Sequence, residues 1–170
     1  SIAITLEHPG VTLVGIDLVP RDLYWPVESF RTIAGVAAAS SGNFSGTPKA
    51  IPDTGTVRAR LIECAKSIVR VGSGPGSTET VGGSKAGQVV EIRPFIDPAS
   101  APVGSDVSLK VYIRGDSVKD AVVVATNVST GDVQEVSFAP VGSDFFHVGS
   151  AGLWRLEFRK AIRTEKENQP

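Results

Sequence analysis

Two histidines, His8 and His147, each have a carboxylate close by in sequence: Glu7 precedes His8, and Asp144 lies three residues before His147. Imidazole nitrogen with carboxylate help suits nickel or cobalt. Glu7, His8, Asp144 and His147 are therefore the candidate metal ligands. Neither histidine belongs to a His-x-x-x-His pattern. The competing reading makes His8 a solvated turn residue and His147 a strand residue with an ordinary partner. Cys64 is the sole cysteine, which excludes an internal disulfide and a zinc cluster. As a nucleophile it would need a base and an orienting group. It falls instead beside an apolar stripe, where cysteine behaves as a small hydrophobe.

Other chemistry-bearing patterns resolve into structural ones. The run Gly72-Ser73-Gly74-Pro75-Gly76 fails as a phosphate loop. Ser77 stands where a dinucleotide fingerprint needs Gly or Ala, Lys85 follows Ser84 rather than Gly, and Pro75 removes an amide. Tyr24-Trp25 is either a stacking platform for sugar or a seal at the edge of a core. Asp97, Asp116, Asp120 and Asp132 fall in expected turns without an Asp-x-Asp-x-Asp run, which favours turn chemistry over a calcium loop. Asn43-Phe44-Ser45 and Asn127-Val128-Ser129 match the glycosylation triplet, which matters only in a eukaryotic secretory pathway. No acid/base pair or nucleophile stands at diagnostic spacing, so the chain reads as non-enzymatic.

The elements that must position these residues are mostly strands. The chain has 170 residues, with 17 basic and 18 acidic side chains and a formal charge of −1. That balance excludes a polycationic nucleic-acid binder and an acidic tail protein. Hydrophobic residues at 41% and charged residues at 21% fit a folded chain rather than a disordered one. No apolar run approaches the ~20 residues of a membrane span, so no membrane insertion is expected. The chain opens on Ser1 and contains no Met, which implies that a preceding segment, such as a signal peptide, was removed.

Residues 2–6 and 11–19 predict an antiparallel hairpin turning at Glu7-His8-Pro9-Gly10. Residues 26–39 predict a first helix, with Phe30, Ile33, Ala34 and Ala37 on one face. Residues 56–66 predict a second, striped by Val57, Leu61, Cys64 or Ala65, and Ile68. A strand follows at 68–71. Residues 40–55 and 72–87 are rich in Gly, Ser and Thr and read as mobile loops. From residue 88 the character is β, with strands expected at 89–93, 107–114, 121–127, 133–138, 145–148 and 153–159. Short strands at this spacing argue for an immunoglobulin-like sandwich. Trp154, Leu156 and Phe158 should face its core, with Arg155 and Glu157 outside. The expected fold is mainly β: a smaller β unit with two helices at 1–87, an immunoglobulin-like β-sandwich at 88–160, and a solvated tail at 161–170.

Several segments carry a family resemblance. Pro9-Gly10-Val11-Thr12-Leu13-Val14-Gly15, Val19-Pro20-Arg21-Asp22-Leu23 and the helix with Phe30 form the first group. Ala65-Lys66-Ser67-Ile68-Val69-Arg70-Val71-Gly72, Val90-Glu91-Ile92-Arg93-Pro94-Phe95, Asp97-Pro98, Val103-Gly104-Ser105 and Gly152-Leu153-Trp154-Arg155-Leu156 complete it. Together they resemble a bacterial periplasmic family of unknown function whose members are described as periplasmic components of nickel or cobalt uptake. The resemblance spans most of residues 9–160 but not the family's usual histidine-aspartate-aromatic opening. It implies a periplasmic binding or accessory protein, with nickel or cobalt as ligand and a membrane transporter as partner. The alternative is a carbohydrate- or cell-surface-interaction module. The family also places strands before the point where this chain starts. Without them residues 2–6 or a neighbouring strand expose a bare edge, and a homo-oligomer, with a dimer favoured, is expected.

Overall fold

The computed structural model describes residues 3–7, 9–33, 44–45, 54–72, 84–98, 100–138 and 144–162. His8, and most of the segments 40–55 and 72–87 expected as loops, lie outside the described residues. The chain is mainly β. Its strands are β1 (Gly10–Asp17), β2 (Arg21–Pro26), β3 (Phe44–Ser45), β4 (Thr56–Leu61), β5 (Cys64–Val71), β6 (Val90–Pro94) and β7 (Asp106–Ile113). They continue with β8 (Asp116–Ser117), β9 (Val122–Asn127), β10 (Val133–Ser137), β11 (Asp144–His147), β12 (Trp154–Phe158) and β13 (Ala161–Ile162). One short helix, α1 (Val27–Ile33), follows β2.

The core lies in the second half. One sheet runs β10-β9-β12 and another runs β11-β7-β6, with β8 paired to β7. Alternation sorts their side chains: Val107, Leu109 and Val111 of β7 and Val123 and Ala125 of β9 point inward and are fully buried. Val136, Phe138, Phe146 and Val148 join the same cluster. The two sheets thus share one interior. Trp154 packs against it half-buried rather than fully buried, meeting Phe146 edge-on at 4.9 Å between ring centroids. Its indole Nε1–H donates to the Ser150 carbonyl at 3.0 Å, which holds its polar end at the rim. Arg155 is exposed, as expected. Glu157 is only partly so, lying 3.3 Å from Arg155 and 3.4 Å from Arg159.

Two turns organise this half. Ile113 and Asp116 face each other across Arg114-Gly115, both with positive φ, 53° and 90°. That is the geometry of a two-residue hairpin turn. Asn127, fully buried, accepts the backbone N–H of Ser129 at 2.9 Å and of Thr130 at 3.3 Å. Its amide nitrogen donates to Ser150 Oγ at 2.9 Å and the Ala151 carbonyl at 3.2 Å. Asn127 therefore knits two loops together, and its amide is not exposed for glycosylation.

The first half differs from the sequence expectation. Residues 3–7 form no strand. β1 pairs instead with β5, from Gly10 opposite Val71 to Asp17 opposite Cys64, and β2 pairs with β4. Leu18 N–H donates to the Glu63 carbonyl at 3.0 Å, bridging the two pairs. The register shifts by one residue across this junction, because Leu18-Val19-Pro20 on one side faces Ile62-Glu63 on the other. An extra residue on one strand is the mark of a bulge.

The second expected helix is absent: residues 56–66 are strand except for Ile62-Glu63. Val57 and Leu61 are four apart, which fits a helix. Val57, Ala59 and Leu61 also alternate with Thr56, Arg58 and Arg60, and the observed burial follows that period of two. Pairing with Leu23 and Trp25 of β2 selects the strand. The first helix stands, ending at Ile33 within the described residues, with Val27 buried where α1 folds back on β2 and β4.

Candidate functional site

Glu91 and Arg93 are two apart on β6 and so share a face. Their partners across the strand are Tyr112 and Lys110. That face is the outer one, since Val111 and Leu109 of β7 point into the core. A charged pair there would ordinarily be solvated. Glu91 and Arg93 are instead 3% and 8% exposed, because the β1–β5 ribbon covers them. Gly15 of β1 faces this segment: a Cβ there would make ordinary 3.5 Å contacts with Ala86 Cβ and the Gln88 amide.

The covered pair is closely bonded. Arg93 donates through Nε at 2.9 Å and Nη2 at 2.8 Å to Glu91 Oε2, and Ala86 N–H donates to Glu91 Oε1 at 2.5 Å. The guanidinium lies 3.9 Å from the Tyr112 ring centroid, a cation–π stack. Lys66 enters from β5. Its Nζ is buried with no hydrogen-bond partner among the described residues. Burial lowers its affinity for a proton and Arg93 lowers it further, while Glu91 opposes both. Gln88 Nε2 is shared by the Ile16 carbonyl at 3.1 Å, Asp17 Oδ1 at 2.8 Å and the Ala65 carbonyl at 2.9 Å. At the far end Arg70 of β5 pairs with buried Asp97 at 2.6 Å. This polar seam locks the ribbon to the two-sheet core.

The sequence-derived candidates fall elsewhere. His147 ends β11 opposite Asp106, and its Nδ1 lies 2.8 Å from Asp106 Oδ1, with both side chains about half exposed. With Nδ1–H donated to the carboxylate, the neutral ring keeps its lone pair on Nε2. In the same strand pairing the backbone of Asp144 stands opposite Leu109, three positions along from His147. Glu7 is exposed and lines a shallow hollow with Thr5, Leu6 and Thr12. His8 lies outside the described residues. Among the described residues, no three His, Cys, Asp or Glu side chains converge on a metal-sized space.

Cys64 sits at the start of β5 rather than in a helix, half-buried, and desolvation is the leading cause that pushes its thiol up. Tyr24 is 70% exposed beside the Arg58–Asp22 ion pair at 3.0 Å. Trp25 turns to the other face and is half-buried. Asp97 is committed to Arg70, and Asp132 accepts from Thr130 Oγ1 at 2.6 Å.

Sequence reasoning did not single out Gln88, Glu91, Arg93, Lys66 or Asp106 as positioned residues. Local alternation marks Glu91 and Arg93 as outward-facing, and only the ribbon's placement reveals that they are covered. Among the described residues, no helix is long and apolar enough to cross a membrane. Comparison with protein-family models, curated proteins and solved structures finds no match to this chain.

Proposed function

We propose that the chain is a non-enzymatic periplasmic binding or accessory protein linked to nickel or cobalt uptake. In this reading an immunoglobulin-like sandwich at 88–160 is the platform and the N-terminal unit at 1–87 is its attachment. The observation that carries the metal part is the His147–Asp106 pair. A carboxylate that fixes one ring nitrogen aims the other at a ligand, the arrangement common behind metal-bound histidine. One imidazole does not complete a nickel or cobalt shell. The fit is therefore to a cargo ion met in passing, with the remaining ligands drawn from a transporter or from Glu7 and His8.

A second reading rests on Tyr24, whose exposed ring beside Arg58 and Asp22 offers the stacking face and polar rim of a carbohydrate contact. Thermal unfolding of the full chain with nickel, cobalt and a glycan panel separates the two. A metal-dependent rise lost in His147→Ala supports the first reading. A glycan-dependent rise lost in Tyr24→Ala supports the second and removes the first. No rise with any ligand overturns both.

A further inference from the structure

The outer edge of β1 is built to be paired. Among the described residues no strand lies against it: β1 and β5 form a two-stranded sheet, docked on the core through one face, with only the non-strand residues Thr5, Leu6 and Glu7 near it, beside Thr12. The direction of its free groups follows from the inner bonds. Leu18 N–H points across the ribbon to Glu63, and the Ile16 and Ala65 carbonyls, opposite each other, both lie within reach of one Gln88 nitrogen above the gap between the strands. Backbone direction alternates along an antiparallel strand. Residues 10, 12, 14 and 16 therefore bond inward to β5, and Val11, Leu13, Gly15 and Asp17 turn N–H and C=O outward.

That edge has little of the usual protection against pairing. Gly10–Asp17 contains no Lys, no Pro and no bulge, and its single charge, Asp17, stands at its end, whereas β2 opens on Arg21 and Asp22 and ends on Pro26. The apolar residues extend to its flank, with Ile16 39%, Leu18 50% and Val19 82% exposed.

We infer that the outer edge of β1 pairs antiparallel with β1 of a second copy of this chain, about a two-fold axis at Val14, to make a continuous β5-β1-β1-β5 sheet. The register follows from the sequence. Centring on Val14 sets Val11 against Asp17 of the partner and Leu13 against Gly15, so every outward N–H and C=O finds a mate. Centring on Leu13 would bring Asp17 against Pro9, which has no N–H to give. The side chains agree. Thr12 meets Ile16 and Val14 meets its own copy on the face turned away from Ala86 and Gln88, a β-branched set suited to cross-strand contact. On the other face Asp17 comes beside Val11 of the partner, whose neighbour across its own ribbon is Arg70. Opposite charges thus stand in one row, and no two like charges are brought opposite each other. The inference is independent of the ligand the protein carries.

The test is the mass of the full chain in solution over a wide concentration range, by sedimentation equilibrium, with two sets of variants. Val14→Lys sets two ammonium groups against each other at the axis and should weaken association about tenfold or more. Ser67→Lys, on the same face of β5 but off the axis, should leave it unchanged. In a Cys64→Ser background, Val14→Cys should cross-link on mild oxidation. The two Cα atoms at the axis stand about 4.5 Å apart in a non-hydrogen-bonded pair, within disulfide range. Thr12→Cys should not cross-link, because its two copies are roughly 13 Å apart along the strands. A chain that stays monomeric at all concentrations overturns the inference, and residues 3–7 or another part of the same chain then cover the edge. A dimer indifferent to Val14→Lys, or one that cross-links as well through position 12 as through 14, also overturns it.

Discussion

Replacing Glu91 by Gln removes one charge and almost no volume from the seam between ribbon and core. The carboxylate accepts from Ala86 N–H and twice from Arg93, and it is the counter-charge nearest to both Arg93 and Lys66. Gln retains an acceptor for Ala86, but its NH2 then faces the Arg93 guanidinium, donor against donor. Arg93 and the Lys66 Nζ remain on that face without an anion. Removing one partner of a buried pair costs about 3–5 kcal/mol. That is a large part of the roughly 5–15 kcal/mol that holds a domain together. Urea denaturation followed by tryptophan fluorescence should show the midpoint falling without a change of slope. The double variant Glu91→Gln/Arg93→Met should recover about 2 kcal/mol of the loss, because the orphaned guanidinium is gone. A loss below about 1 kcal/mol for Glu91→Gln alone would refute the reasoning, since it would mean that the ribbon does not seal this face from water.

Three further outcomes follow from named contacts. Trp154→Ala should cost about 3 kcal/mol in the same denaturation assay, since it empties the edge contact with Phe146 while the half-exposed rim stays solvated. Lys66→Met should flatten the alkaline limb of a stability–pH profile. The folded state holds the Lys66 ammonium below its ordinary value, so the unfolded chain binds more protons between that lowered value and about 10.4, and stability from this group rises with pH across the window. A profile with its slope intact in the variant would assign the effect to another group. Gly152→Ala should destabilise by about 1–3 kcal/mol, because φ is 136° and the new Cβ would lie 3.1 Å from Asn127 Oδ1. An unchanged thermal midpoint would show that the Asn127 knot yields easily.

Much of the second half was legible because strands such as β7 and β9 have one dry face. Val107, Leu109 and Val111 alternate with Ser108 and Lys110, and β7 starts one residue from where that pattern puts it. The same local rule fails where burial comes from a distant segment. Glu91 and Arg93 have the alternation of a solvent face, and nothing within ten residues of them records that β5 lies over it. Residues 56–66 failed for a different reason. Their apolar positions satisfy both a period of four and a period of two, and β2, some thirty-five residues earlier, breaks the tie. β2 itself was missed because Arg21, Asp22 and the terminal Pro26 dilute its apolar side to Leu23 and Trp25. At the candidate site, sequence proximity linked His147 to Asp144. The sheet register instead brings it to Asp106, forty-one residues away, a pairing that no spacing rule within one segment can show.

The most direct test of the proposed function is a calorimetric titration of the full chain with nickel and with cobalt, run beside His147→Ala and Asp106→Asn. The account predicts saturable binding of at least one of the two ions, weakened at least tenfold by His147→Ala and less strongly by Asp106→Asn, which keeps a polar partner for Nδ1 but loses the charge. Absence of binding for both ions, or binding that neither substitution changes, would contradict it.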